Sequence, residues 1–239
     1  MAGATVVLVP GGFTGAWMWA DVAALRERQG LDFVPLELPT IGEASAGSDF
    51  YADARAVREA LDGLEPPVLL CGHSYAGAVI TEAAAGPHAA VRHLVYLTAA
   101  VPDVGDTMAS LMGQAAAEAE NASGEAPIFR EDGLAELDRD QARQALFNDC
   151  RRERADEGLD RLRPGNIAGA NRPLTGAAWR ELPATYVRGT EDHMPEAVAP
   201  AFFEQNPEVL EVPAGHCPNW SRPELVARLL SDRAKAVRV

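Results

Sequence analysis

The chain has 239 residues, 47% of them hydrophobic, and carries a formal net charge of −14. That length suits one generous domain with a large core, and the acidity excludes nucleic acid and anionic membrane surfaces as partners, because phosphate would repel it. The cysteines Cys71, Cys150 and Cys217 show no disulfide or metal-ligand spacing, no apolar run reaches membrane-spanning length and no export signal opens the sequence, so a cytoplasmic protein without metal, cofactor or membrane partner is expected.

Thr5 to Val9 is a β-branched run that predicts a buried strand, stopped by Pro10-Gly11-Gly12. Ala16 to Gln29 has apolar residues at helical spacing and predicts an amphipathic helix. Phe33 to Leu38 predicts a second strand. Ser48 or Asp49 can cap a helix running to Leu64, with Ala54, Val57 and Leu61 on one face. Val68 to Cys71 predicts a third strand, followed at once by a small-residue turn and an alanine-rich helix to Ala85. Val91 to Thr98 predicts a fourth. This β-α-β-α-β-α-β order implies a parallel sheet with helices on both faces.

Between Pro102 and Pro183 the alternation stops. The stretch is charged, offers no convincing strand, and carries helical runs over Met108 to Glu120 and Gly133 to Arg154. It reads as a helical insertion over the sheet. Its arginines at 151, 152, 154, 161 and 163 alternate with acids and read as a solvated face. The alternation resumes with a strand over Ala184 to Val187, a helix over Pro195 to Gln205, a strand over Val209 to Val212 and a helix from Pro223.

Ligands of an open parallel sheet bind beyond the carboxyl ends of its strands, and the residues after each strand are informative. Gly11-Gly12-Phe13 follows the first. Ser74, in Gly72-His73-Ser74-Tyr75-Ala76-Gly77, follows the third, where strand, sharp turn and helix describe a nucleophile elbow. Glu191-Asp192-His193 follows a later strand, and Gly215-His216 the last. The expected roles are Ser74 as nucleophile, His216 as general base and acid, and Asp192 as the acid that orients it, with Glu191 and Asp103 as its competitors. The backbone N–H groups of Gly12 and Tyr75 are the candidate oxyanion donors. His73 should point sideways into the structure, His88 and His93 read as structural, and Trp17 and Trp19 as core packing.

On these residues the chain resembles the α/β-hydrolase superfamily, and more narrowly the group of plant methyl esterases and α-hydroxynitrile lyases with its bacterial relatives. The likeness rests on Val9 to Trp19, Gly72 to Gly77, Gly189 to Asp192 and Ala214 to His216. It implies a three-layer α/β-hydrolase fold with a mostly parallel sheet, a core of residues 1–102 and 183–239, and a helical cap insertion at 103–182. It implies the triad Ser74, Asp192 and His216. Pro10 stands where the group usually has histidine. Gly11 stands where its hydroxynitrile lyases have threonine, which argues against cyanohydrin cleavage, and Ser74 argues against dehalogenase and epoxide hydrolase chemistry.

The expected activity is cleavage of a carboxylic ester or lactone, apolar and of small or medium size, through an acyl-enzyme. The alternatives are lyase, cyclase or acyl-transfer chemistry on a biosynthetic intermediate with the same triad, and a non-enzymatic small-molecule receptor. Oligomeric state is not legible in the sequence.

Overall fold

The computed structural model describes residues 4–25, 30–118, 127–206 and 208–237. Six parallel strands form one sheet: β1 (Thr5–Val9), β2 (Asp32–Pro35), β3 (Val68–His73), β4 (Val91–Leu97), β7 (Ala184–Gly189) and β8 (Val209–Val212), in the order β2-β1-β3-β4-β7-β8. The two strands numbered between lie outside it. Strand periodicity explains the layering. Val7, Val9, Leu70 and Tyr96 face one apolar cluster, and Val6, Leu8, Leu69, Cys71 and Val95 face the other. The first is covered by helices at Phe50–Asp62 and Ala76–Ala83, the second by Ala20–Ala24 and Pro223–Ala236. Burial on both faces is why these strands read as unbroken apolar runs. This is the α/β-hydrolase fold expected from the sequence.

The chain leaves β1 toward β2 on one side and crosses to β3 on the other. A crevice therefore opens between the loops that follow β1 and β3, where strand order reverses. Val9 pairs with Gly72, so Gly11-Gly12 and Ser74-Tyr75 emerge side by side.

Several elements are shorter than periodicity suggests. The helix expected over Ala16 to Gln29 is a 3₁₀ turn at Ala16–Trp19 followed by Ala20–Ala24. The last four residues of that expected helix lie outside the described ones, as do Ala119 and Glu120 at the end of the run from Met108. The helix expected from Pro195 begins at Pro200, because Val198 makes a parallel bridge with Val101 and Val101 N–H donates to Ala197 O at 2.9 Å. Asp49 caps the helix Phe50–Asp62, its carboxylate accepting from Ala52 N–H at 3.0 Å.

Residues 103–182 differ most. The run Gly133 to Arg154 is not one helix. Gly133, at φ +84°, turns a two-stranded antiparallel hairpin of β5 (Ile128–Phe129) and β6 (Ala135–Glu136), so the stretch does contain strands. Asp138 then caps a new helix, Arg139–Leu146, accepting from Asp140 and Gln141 N–H. The chain breaks at Phe147 to Arg151 before the helix Arg152–Leu159. Asn148 leaves helical geometry to donate from Nδ2 to Glu191 O at 2.7 Å. The arginines pair with acids as a charged face would: Arg152 with Asp156, Arg161 with Glu157, Arg154 with Glu157 and Asp21. Among the described residues no helix is long and apolar enough to cross a membrane.

Candidate active site

β3 runs two residues beyond the expected end at Cys71, through His73, and the chain then reverses at Ser74 with φ +55°. The left-handed region costs a non-glycine residue about 1–2 kcal/mol, so the surroundings must hold it there. Ser74 N–H donates to Leu97 O at 3.3 Å, and Ser74 O accepts from Gly77 N–H at 3.0 Å and Ala100 N–H at 3.1 Å. A Cβ on Gly72 would come 2.6 Å from Ala76 O, and one on Gly11 would come 2.9 Å from Ser74 Cβ. Only glycine lets both backbones approach the turn so closely.

The structure brings Ser74, His216 and Asp192 into one chain of hydrogen bonds. Nδ1 of His216 lies 2.9 Å from Asp192 Oδ2. A carboxylate only accepts, so Nδ1 carries the proton and Nε2 is left with its lone pair. Ser74 Oγ donates to that lone pair at 2.9 Å. Asp192 is held in turn by Met194 N–H, which donates to Oδ1 at 2.8 Å. The His216 carbonyl accepts from Thr98 Oγ1 at 2.7 Å and from His73 Nε2 at 2.9 Å. His73 is buried, and burial, with His216 nearby, lowers its pKa to about 3. It stays neutral and acts as a donor behind the site. The competing acids lie elsewhere. Glu191 is exposed, and Asp103 pairs with Arg180, whose hydrogen bond holds its carboxyl below the usual range. His193 is exposed. Trp19 is fully buried, and Trp17 meets Trp220 edge-on at 5.1 Å between ring centroids.

The N–H groups of Gly12 and Tyr75 bear no hydrogen bond to a described residue. A Cβ on Gly12 would sit 3.9 Å from Tyr75 Cβ, and Gly12, Ser74 and Tyr75 border one cavity. The loop that carries Gly12 is braced from residues 103–182: Arg163 N–H donates to Phe13 O at 2.9 Å, and its guanidinium donates to Thr14 O at 3.0 Å and pairs with Glu37. Arg163 is thus more than a solvated charge. Thr98, Asn148 and Met194 are not legible as site residues in the sequence either. Thr98 and Asn148 each act through one backbone contact made across more than one element, and local sequence carries no signal for that, whereas Met194 meets Asp192 through a turn two residues long.

Two cavities meet at Ser74, and His216 borders both. One measures about 650 Å³ and is walled mainly by apolar side chains, including Phe13, Ile41, Met112, Leu146 and Ile167. The other, about 210 Å³, is bordered by Thr98, Tyr186, Arg188, Asp192 and Ala197. Residues 103–182 supply much of the first wall, and the strand ends supply most of the second. A serine hydroxyl bonded to an imidazole that a carboxylate orients, with two backbone N–H groups on residues bordering the same cavity, is an arrangement that can support acyl transfer.

Comparison with known proteins gives the family. The profile of the alpha/beta hydrolase family matches residues 6–229. The chain is 29% identical over 245 residues to the alpha/beta hydrolase nvfD of Aspergillus novofumigatus, covering 96% of each protein. It is 33% identical over 118 residues to a carbendazim hydrolyzing esterase of Nocardioides, about half of each chain. The crystal structure of polyneuridine aldehyde esterase superposes with a TM-score of 0.81 at 20% identity, over 97% of this chain and 99% of that one. The chain belongs to the alpha/beta hydrolase family, and it is an enzyme of the hydrolase kind.

Proposed function

We propose that the protein hydrolyses a carboxylic ester or lactone through an acyl-enzyme on Ser74. The observation that carries this reading is the pair of 2.9 Å contacts that link Ser74 to His216 and His216 to Asp192. Nε2 of His216 removes the Ser74 proton as Oγ attacks the carbonyl carbon. The oxyanion that forms accepts hydrogen bonds from Gly12 and Tyr75 N–H, each worth on the order of 3 kcal/mol in the transition state. Asp192 stabilises the imidazolium. Collapse expels the alkoxide, which takes the proton from His216. Water then enters, gives a proton to His216 and attacks the acyl carbon, releasing the acid and restoring Ser74. These steps call on no metal or cofactor.

The larger cavity receives the apolar part of a small-molecule substrate, and the smaller one its other side. Residues 103–182 act as a cap that shapes the larger one. The esterase activity of the Nocardioides relative supports the ester reading. Ser74→Ala should lower turnover of short aryl esters at least about 10⁴-fold, and retained turnover would overturn the mechanism. Reaction in ¹⁸O-water distinguishes hydrolysis, which places one labelled oxygen in the acid product, from lyase, cyclase or transfer chemistry, which does not.

A further inference from the structure

Asp53 is a fully buried carboxylate that the steps above do not use. It stands in the first turn of the helix Phe50–Asp62. Removing a carboxylate from water is costly unless hydrogen bonds replace the hydration, and here three donors converge on it. Thr40 N–H donates to Oδ1 at 2.9 Å, Thr40 Oγ1 to Oδ2 at 2.6 Å, and the Tyr75 hydroxyl to Oδ2 at 2.8 Å. Burial raises the Asp53 pKa, against the pull of the Thr40 and Tyr75 hydrogen bonds. Burial also lifts the Tyr75 phenol well above its ordinary value, so it remains a donor.

We propose that Asp53 is a positioning residue that aims the Tyr75 N–H at the oxyanion by fixing the Tyr75 side chain. This rests on the reading of that N–H as an oxyanion donor. The direction of the N–H is set by two torsions, ψ of Ser74 and φ of Tyr75. Ser74 is in the strained left-handed region, and such a conformation persists only where its neighbours over-determine it. The Ser74 carbonyl is fixed by Gly77 and Ala100. On the other side of the peptide, the Tyr75 ring is packed edge-on against Phe50, with centroids 6.5 Å apart, and its hydroxyl is tied to Asp53. A side chain held at both ends fixes its own Cα–Cβ direction and with it φ. A charge-assisted bond is about twice as strong as a neutral one, which is why a carboxylate serves better here than an amide. The other arm of the network reaches the wall of the larger cavity. Thr40 borders the larger cavity, and its carbonyl accepts from Asn166 N–H of the insertion at 2.9 Å. Asp53 therefore ties the cavity wall to the elbow.

The test uses the full chain with Tyr75→Phe, Asp53→Asn and both together. It measures the rate at which a fluorophosphonate labels Ser74, kcat and KM for a 4-nitrophenyl ester, and a thermal melt for each variant. Each single change should slow labelling and lower kcat about tenfold, less than the 10²–10³ of an outright donor loss. KM should stay within about twofold. The double variant should be no slower than the slower single one, because both changes remove the same bond. If Asp53→Asn does not fold, Tyr75→Phe decides, since it keeps the ring and deletes only the hydroxyl. Folded variants that label and turn over at the wild-type rate, with only the melting temperature lowered, would make Asp53 a structural staple and overturn the proposal. So would losses that appear in KM alone or that multiply in the double variant. Absence of labelling in the wild type would overturn the acyl-enzyme reading itself, and this inference with it.

Discussion

The strand ends of the sheet and residues 103–182 border the same cavities with different materials. At the strand ends every group is fixed by parallel pairing and buried hydrogen bonds. The turn at Ser74 is pinned by three backbone contacts, and His216 by Asp192, Thr98 and His73. In residues 103–182, helices of four to eleven residues and a hairpin of two-residue strands present methionine, leucine and isoleucine to the larger cavity. Groups that reach back from this stretch, among them Asn148, Arg163 and Asn166, touch loops rather than the reacting atoms. The difference teaches where sensitivity should lie. Changes at the sheet edge should alter kcat, and changes in the insertion should alter which substrate is accepted.

The sharpest way to break this division is to disturb the sheet edge without changing its shape. Asp192→Asn keeps the volume but presents an amide to Nδ1, so the imidazole can adopt the wrong tautomer. The expected loss in kcat is about 10⁴-fold with KM nearly unchanged. A loss of less than about tenfold, read by steady-state kinetics, would show that His216 does not depend on this carboxylate. Glu191 and Asp103 would then need testing, though the first is exposed and the second is held by Arg180.

Acid sensitivity should also belong to the sheet. His73 and His93 both lie on strands, and no histidine occurs between residues 103 and 182. Burial lowers the pKa of His73 to about 3 and that of His93 to about 4. An unfolded chain protonates both near 6.5. Between that value and about pH 4 the unfolded state therefore binds more protons, and folding stability falls as the pH falls. From pH 6.5 to 5 the two groups together cost about 3 kcal/mol, the slope approaching roughly 1.4 kcal/mol per group and pH unit once the unfolded histidines are protonated. Chemical denaturation at pH 7, 6 and 5 would measure this. His93→Gln, which can still meet Thr185 Oγ1, now 2.8 Å from the ring nitrogen, should remove close to half of the slope. An unchanged slope would place the acid sensitivity elsewhere.

The same contrast explains how much of the molecule is legible in its sequence. Most sheet strands are apolar runs with glycine or proline at an end, and Ser74, Asp192 and His216 each follow such a run, so their convergence can be read from topology alone. Asp53 cannot. In sequence it is one acid among several on a helix whose apolar face is marked by Ala54, Val57 and Leu61. What makes it special is a threonine 13 residues earlier and a tyrosine 22 residues later. In residues 103–182, helical periodicity runs from Gly133 straight through Asp138. A positive φ and a local cap divide the run there, and its lining role depends on packing that no short-range pattern encodes.

A smaller effect tests the insertion as the seat of specificity. Met112 stands on the helix Met108–Glu118 and borders both cavities. Met112→Trp adds bulk to the wall while leaving in place every residue that hydrogen-bonds to Ser74 or His216. The ratio of kcat/KM between long-chain and acetyl 4-nitrophenyl esters should fall about tenfold, the worth of a methylene or two in an apolar pocket. Equal losses on both substrates would mean that the insertion also sets the geometry of the reacting groups.

The smallest expected effects separate two neighbouring arginines. Arg152 is 87% exposed and lies 3.9 Å from Asp156. Such a pair gains little Coulomb energy in water and is screened by salt, so Arg152→Ala should change stability by less than about 0.5 kcal/mol. Arg154 is two positions on, but its guanidinium carbon lies 3.2 Å from the centroid of the Trp220 ring, and it pairs with Asp21 and Glu157. Its backbone carbonyl accepts from the Trp220 indole N–H at 3.0 Å. Trp220 is buried in the short helix Pro218–Ser221 just beyond His216, so Arg154 fastens residues 103–182 to the segment that carries His216. Arg154→Ala should cost about 1–2 kcal/mol from lost cation–π contact and stem packing, or several degrees in melting temperature. If the insertion were only a loosely seated cover, the two variants would melt together. A gap between their melting curves, with kcat for an acetyl ester preserved in both, would show that it is anchored firmly yet stands outside the chemistry.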